Sequence, residues 1–204
     1  MRAIVASACL ALLASCAPGG NPAAVSGRGP VGAVGAARDE TARTVVELFV
    51  KACVRSLGHR DQAEAVVLET DARAERLPAQ ELARLQQGRP GGVGWWVAMP
   101  PLQAPLLVEF DQHNLCSVRA VDANGAAIQD GVRGMLDAFA KCCQMSYQTV
   151  EERDMAWQAE PVRFMHYRLR LPSTRVTQIT VMTTMRPVSP RFSIMTAWMQ
   201  GHEL

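Results

Sequence analysis

Apolar residues recur at two different spacings along this chain, and the predicted elements follow from where one spacing gives way to the other. Val45, Val46, Phe49, Ala52 and Cys53 stand three or four residues apart behind Asp39-Glu40-Thr41, which supply acidic and capping side chains. That predicts a helix from about Asp39 towards Gly58, with Cys53 on its apolar face. A second helix is expected from about Asp61, with Ala63, Val66 and Val67 inward. Leu77-Pro78 interrupts it; Pro78 suits a first helical position, and Glu81, Leu82 and Leu85 carry a short third helix to Gly88. Arg89 to Gly94, with Pro90 and its glycines, reads as a loop.

The strand half opens at Trp95 to Met99, stopped by Pro100-Pro101. Leu106 to Phe110 and Cys116 to Val121 are two further strands, separated by the turn-prone Asp111 to Asn114 and followed by Asn124-Gly125. Ile128, Val132, Met135, Leu136, Phe139 and Cys143 return to helical spacing and predict a fourth helix. From Ser146 the period is two. Met165, Tyr167, Leu169 and Leu171 share one side of a strand, Val176 to Met185 is a β-branched run, and Phe192 to Met195 follows beyond Pro187 and Pro190. Connections this short exclude helical crossovers, so the strands are antiparallel neighbours. The expected fold class is α+β: helices packed on one face of an antiparallel sheet of about five to seven strands, supported by disulfide, with no internal repeat.

The first residues are patterned differently. Arg2 precedes a mostly Ala, Leu, Ile and Val run from Ala3 to Leu13, and small residues lead to Cys16. About eleven apolar residues fall short of the roughly twenty that span a bilayer, so the segment reads as a cleaved signal. Leu13-Ala14-Ser15-Cys16 resembles the lipobox of bacterial prolipoproteins. The resemblance covers residues 1–16 only. It implies cleavage before Cys16, acylation of its thiol (a palmitate-bearing lipoprotein), and a partner in the membrane reached through the N-terminal lipid. The alternative is an ordinary secretory signal that leaves Cys16 unmodified. Cys9 lies too early in the apolar run and lacks the preceding aliphatic residue. Ala17 stands where such lipoproteins carry aspartate when they are kept at the inner membrane, so the resemblance implies the outer membrane, facing the periplasm. The chain thus divides into a cleaved signal peptide over 1–15, a tether over 16–38 and one domain over 39–204. The tether is Gly, Pro, Ala, Ser and Val with almost no charge, and about 22 such residues reach about 25 Å as a flexible coil. Gly27 to Gly32 matches G-x-G-x-x-G, but no strand precedes it and Pro30 stands inside it, which argues against a dinucleotide turn.

Charge excludes more than it suggests. With 21 basic and 19 acidic residues there is no electrostatic case for nucleic acid. Of the 6 cysteines, Cys53, Cys116, Cys142 and Cys143 remain as disulfide material once the signal and Cys16 are set aside. Three full pairings are open. Cys53 with Cys116 is the expected link, because both occupy inward positions on elements that should pack together. Adjacent helical residues point about 100° apart, so a bond between Cys142 and Cys143 requires a distorted backbone. The reading preferred for them is that one reaches a distant thiol while the other packs as a small apolar group.

No catalytic, cofactor-binding or metal site emerges. A thiol enzyme would pair Cys116 or Cys143 with His59, His113 or His166, and nothing in the sequence fixes those pairs in space. There is no G-x-S-x-G elbow and no S-x-x-K motif. His113-x-x-Cys116 lacks a second ligand pair for zinc, and the methionine pairs Met182/Met185 and Met195/Met199 do not converge on strands. The expectation is a lipid-anchored envelope protein that binds another envelope protein or supports assembly, and is not an enzyme. Its contact surface is expected on the sheet or its edge from Met165 to Met195, where Thr177, Thr180, Thr183 and Thr184 leave the polar side uncharged. The alternatives are a periplasmic hydrolase with a site assembled from distant residues, and a metal-handling protein.

Overall fold

Helix α1 begins at Pro30 and runs to Phe49 (Pro30–Phe49), well before the expected start at Asp39. The computed structural model describes residues 30–56, 59–69, 73–86, 92–99, 102, 106–111, 115–121, 123–172, 175–186 and 193–199. The last part of the segment read as tether is therefore helical. Pro30 is pre-set for a first turn and Ala33, Ala36 and Ala37 favour helix, a preference masked in the sequence by Gly32 and Gly35. α1 continues into a π-helical turn, Val50–Val54, in which the consecutive residues Ala52, Cys53 and Val54 are all buried. A regular helix cannot bury three successive side chains on one face; the wider turn does.

Helix α2 is Arg60–Glu69, with Ala63 and Val67 buried as their spacing required. Strand β1 (Arg73–Arg76) follows, then α3 (Ala79–Leu85) with Pro78 as its N-cap. Strands β2 (Gly92–Ala98), β3 (Leu106–Asp111) and β4 (Cys116–Ala120) precede helix α4 (Gly125–Cys142). The chain ends in β5 (Ser146–Trp157), β6 (Glu160–Arg170), β7 (Val176–Thr184) and β8 (Ser193–Met199). β2 starts inside the stretch expected to be loop. Gly92 permits this with φ +129°, and a Cβ there would lie 2.4 Å from the Phe110 carbonyl oxygen.

All eight strands form one antiparallel sheet in the order β1-β2-β3-β4-β8-β7-β6-β5, more strands than the pattern suggested. The order is symmetric about the β4–β8 pair. Each half is a helical segment followed by four sequentially paired strands, with α3 inserted between β1 and β2 in the first half, a repeat of topology with no signature in the residues. One face carries an unbroken cross-strand row of Trp95, Val108, Val118, Met195, Val181 and Met165, each buried. Val45 and Phe49 of α1 and Ile128, Val132 and Leu136 of α4 belong to the same core. At about 25 cal/mol per Å² this burial is the main favourable term of folding.

The Cys53–Cys116 disulfide ties the end of α1 to β4 across this core, with the two Cα atoms 5.3 Å apart. The expected pairing is thus the one found. The short α3 departs from the one-face arrangement: Leu82 approaches Gly94 on the opposite side and clusters there with Leu77 and Leu107. Among the described residues no helix is long and apolar enough to cross a membrane.

Candidate functional site

A cleft of about 640 Å³ opens where the N-terminus of α4 meets the β5–β6 hairpin and the exit of β7. Its walls carry the side chains of Arg38, Arg133, Arg163 and Arg186 against one lining carboxylate, Asp154. Each is placed by its element. Arg133 follows the inward Val132 on α4, so it emerges at the border of the apolar stripe. Asp154 and Arg163 are direct cross-strand partners, and Arg186 lies just beyond the end of β7.

The helix start is held tightly. Asn124 caps α4 by accepting from the Ala126 and Ala127 amides at 3.1 and 3.3 Å, and its Nδ2 donates to Asp39 Oδ1 at 2.6 Å. Gly125 is needed for contact: a Cβ there would sit 2.5 Å from the Thr184 carbonyl oxygen. Gln129 donates to the Thr183 hydroxyl at 2.6 Å, fixing the same turn to β7.

Carboxylates around the cleft orient its cations. Arg163 donates to Asp154 at 2.7 Å and to Glu152 at 2.8 Å, while Arg133 donates to the same Glu152 oxygen. Arg186 pairs with Glu160 at 3.2 Å. The hydrogen bond from Arg163 holds the Glu152 carboxyl below the usual carboxylate range, and the charge of Arg133 pulls the same way against partial burial. The bond to Asp154, and then that to Glu152, keeps Arg163 firmly protonated. Burial pushes the Tyr167 phenol up, opposed by Arg133. A guanidinium has five N–H donors in a planar fork, and Arg163 spends two of its five here. Such a set is chemically suited to bidentate contact with a carboxylate or phosphate.

The opposite face of the sheet carries a second polar set, which lay unsignalled within an apolar strand. Glu109 and Ser117 are cross-strand partners there, and Thr180 and His166 are another such pair. Glu109 is only 3% exposed; it accepts from the Ser117 hydroxyl at 2.8 Å and from Arg119. A ring nitrogen of His166 lies 2.7 Å from Gln178 Oε1.

The residues singled out in the sequence are scattered. Cys16 and His113 lie outside the described residues. Cys116 is spent in the disulfide, which removes it both as a nucleophile and as the partner of His113 in a metal pair. Cys142 is exposed and Cys143 buried; among the described residues no disulfide joins either to a distant thiol, and their Sγ atoms are 2.6 Å apart. Met195 is buried among the core residues while Met185 is 52% exposed at the cleft, so these two do not share a site. Among the described residues no cluster of three or more His, Cys, Asp or Glu is arranged to hold a metal. The threonines of β7 do not share a side. Thr177 and Thr183 are buried under the helices, Thr180 faces the other way, and Thr184 lines the cleft.

The arginines themselves were missed. The available signal was Glu151-Glu152-Arg153-Asp154 on one strand, opposite Arg163 on the next, a charge alternation that marks an edge hairpin with matched partners. Set against known proteins, the chain matches no family model, no curated protein and no solved structure.

Proposed function

We propose that the chain is a lipid-anchored protein of the bacterial envelope, held at the outer membrane through Cys16 and facing the periplasm. Its domain binds an acidic group of another envelope protein in the arginine-lined cleft, and does so without catalysis. The observation that carries the binding reading is the convergence of four arginines on one cleft that a single carboxylate lines. Carboxylate partners hold the guanidiniums of Arg133, Arg163 and Arg186 in place, which lowers the ordering cost of receiving a ligand. The envelope address rests on the lipobox resemblance at Leu13 to Cys16.

Photo-crosslinking from Met185 in intact cells tests this reading, because that side chain is exposed at the cleft. The expected result is a crosslink to an envelope protein that Arg186→Glu weakens and Thr180→Lys leaves intact. Arg186 is more than half exposed, so the loss of its pairing with Glu160 costs the fold about 1 kcal/mol or less. Loss of the crosslink with Thr180→Lys alone would move the contact to the face bearing Phe164, Met182 and Ile194, which form one partly exposed cross-strand row. A crosslink indifferent to both changes would end the cleft reading.

A further inference from the structure

Cys142 closes α4, and Cys143 is its C-cap with φ −125° and ψ 12°. Regular helical geometry would hold the two side chains about 100° apart. At Cys143 the backbone has already left that geometry, and Gln144 turns it back with φ +53°. The distortion that a bond between neighbouring cysteines requires is therefore supplied by the helix end. The Sγ atoms lie 2.6 Å apart, inside the non-bonded contact distance of two sulfurs. One is exposed and the other buried at 5%. The chain also closes Cys53–Cys116, a bond of the kind that persists under oxidising conditions.

We propose that Cys142 and Cys143 form a thiol–disulfide exchange site that closes to a vicinal disulfide. The co-reactant is a disulfide, RSSR, that can reach the exposed thiol. Cys142 loses its proton to solvent and attacks one sulfur of RSSR; the Cys142–SR bond forms, the R–S–S–R bond breaks, and RS⁻ leaves and takes up a proton. Cys143 then loses its proton and attacks the Cys142 sulfur, expelling the second thiolate, which is protonated in turn. Two cysteine thiols and one RSSR become one intrachain disulfide and two RSH. The electron pair lost by the cysteines is gained by the external disulfide. A dithiol reverses the sequence. The exposed residue is the one attacked from outside and the buried one resolves it, an asymmetry that follows from their burial.

The arrangement of basic residues makes the test direct. Lys141 and Arg153 bracket the pair, so trypsin releases both cysteines in one peptide, 142–153. The full-length chain, equilibrated with oxidised glutathione and then denatured and alkylated with iodoacetamide, should yield this peptide two hydrogens lighter than the dithiol and carrying no alkyl group. Equilibration with dithiothreitol before denaturation should restore two alkyl groups while Cys53–Cys116 stays closed. In Cys143→Ser, the glutathione adduct at Cys142 should accumulate as the end product. Two alkyl groups on the wild-type peptide after excess oxidised glutathione would overturn the proposal. So would a wild-type glutathione adduct at Cys142 that never resolves. Both overturning outcomes are read on the wild type, so poor folding of the variant does not blunt the test.

Discussion

Two glycines in α4 separate conformational cost from steric need. A methyl group at Gly125 meets the Thr184 backbone oxygen at 2.5 Å, whereas one at Gly134 meets nothing within 4 Å. Backbone against backbone yields poorly, so Gly125→Ala should lower stability by about 1–3 kcal/mol, as overpacking does. Gly134→Ala relieves a mid-helix glycine and should raise stability by about 0.5–1 kcal/mol. Urea midpoints of the two variants, measured together, check both signs; equal shifts would mean that α4 does not press on β7 at its first residue. Asn124-Gly125 shows the limit of reading at this scale. The dipeptide signals a turn in sequence, yet here Asn124 is a helix cap and Gly125 a point of close approach, and only the partner β7 distinguishes these uses.

Between elements, a polar tie joins α4, β5 and β6 through Arg133, Glu152 and Arg163. Because the folded Glu152 carboxyl sits below its ordinary range, the tie contributes fully above the unfolded glutamate value of about 4.3 and is lost as pH falls through the lowered one. Partial exposure limits the contribution to about 0.5–1 kcal/mol. Glu152→Gln should therefore destabilise the protein at about pH 7 by that amount, and the gap from wild type should narrow as the pH falls below about 4.3. An undiminished gap in acid, read from urea melts across that range, would show that the loss is one of packing and not of charge. Elements with a one-sided pattern were legible: α2, α4, the buried face of α1 and the buried rows of β2, β3, β4 and β6 lie where their periodicity put them, although α1 begins earlier, at Pro30. β1 was not legible, because an edge strand has no second neighbour and its alternation is weak; β5 begins at Ser146, where the period of two was expected to start, although it is exposed or half-exposed along its whole length. The turn from β5 to β6 also hid, since Gln158 and Ala159 both take positive φ at positions where Asn and Gly would have announced it. The cleft was illegible for a related reason: it is assembled from α1, α4, β5, β6 and the end of β7, which no local spacing connects.

At the scale of the whole molecule, two meanders share one sheet through β4 and β8, and the described core draws only on residues from Ala42 onward. The disulfide closes a loop of 63 residues within the first half and across the helix–sheet interface, worth about 4 kcal/mol in the chain-entropy model. Among the described residues, the core and the disulfide therefore lie well beyond Cys16. Residues 17–29 together span at most about 45 Å when fully extended, which bounds how far the domain stands from a lipid on Cys16. Anchoring and folding should then be separable by one substitution. Cys16→Ala is expected to leave the thermal midpoint of the domain unchanged and to shift the protein from the membrane fraction to the soluble fraction. Labelled palmitate should enter the wild type and not the variant. If the variant stays with the membranes while folded, the anchor is elsewhere in the chain; if the wild type takes up no palmitate, Leu13 to Cys16 is a plain secretory cut and the cleft works on a protein that is exported but not tethered.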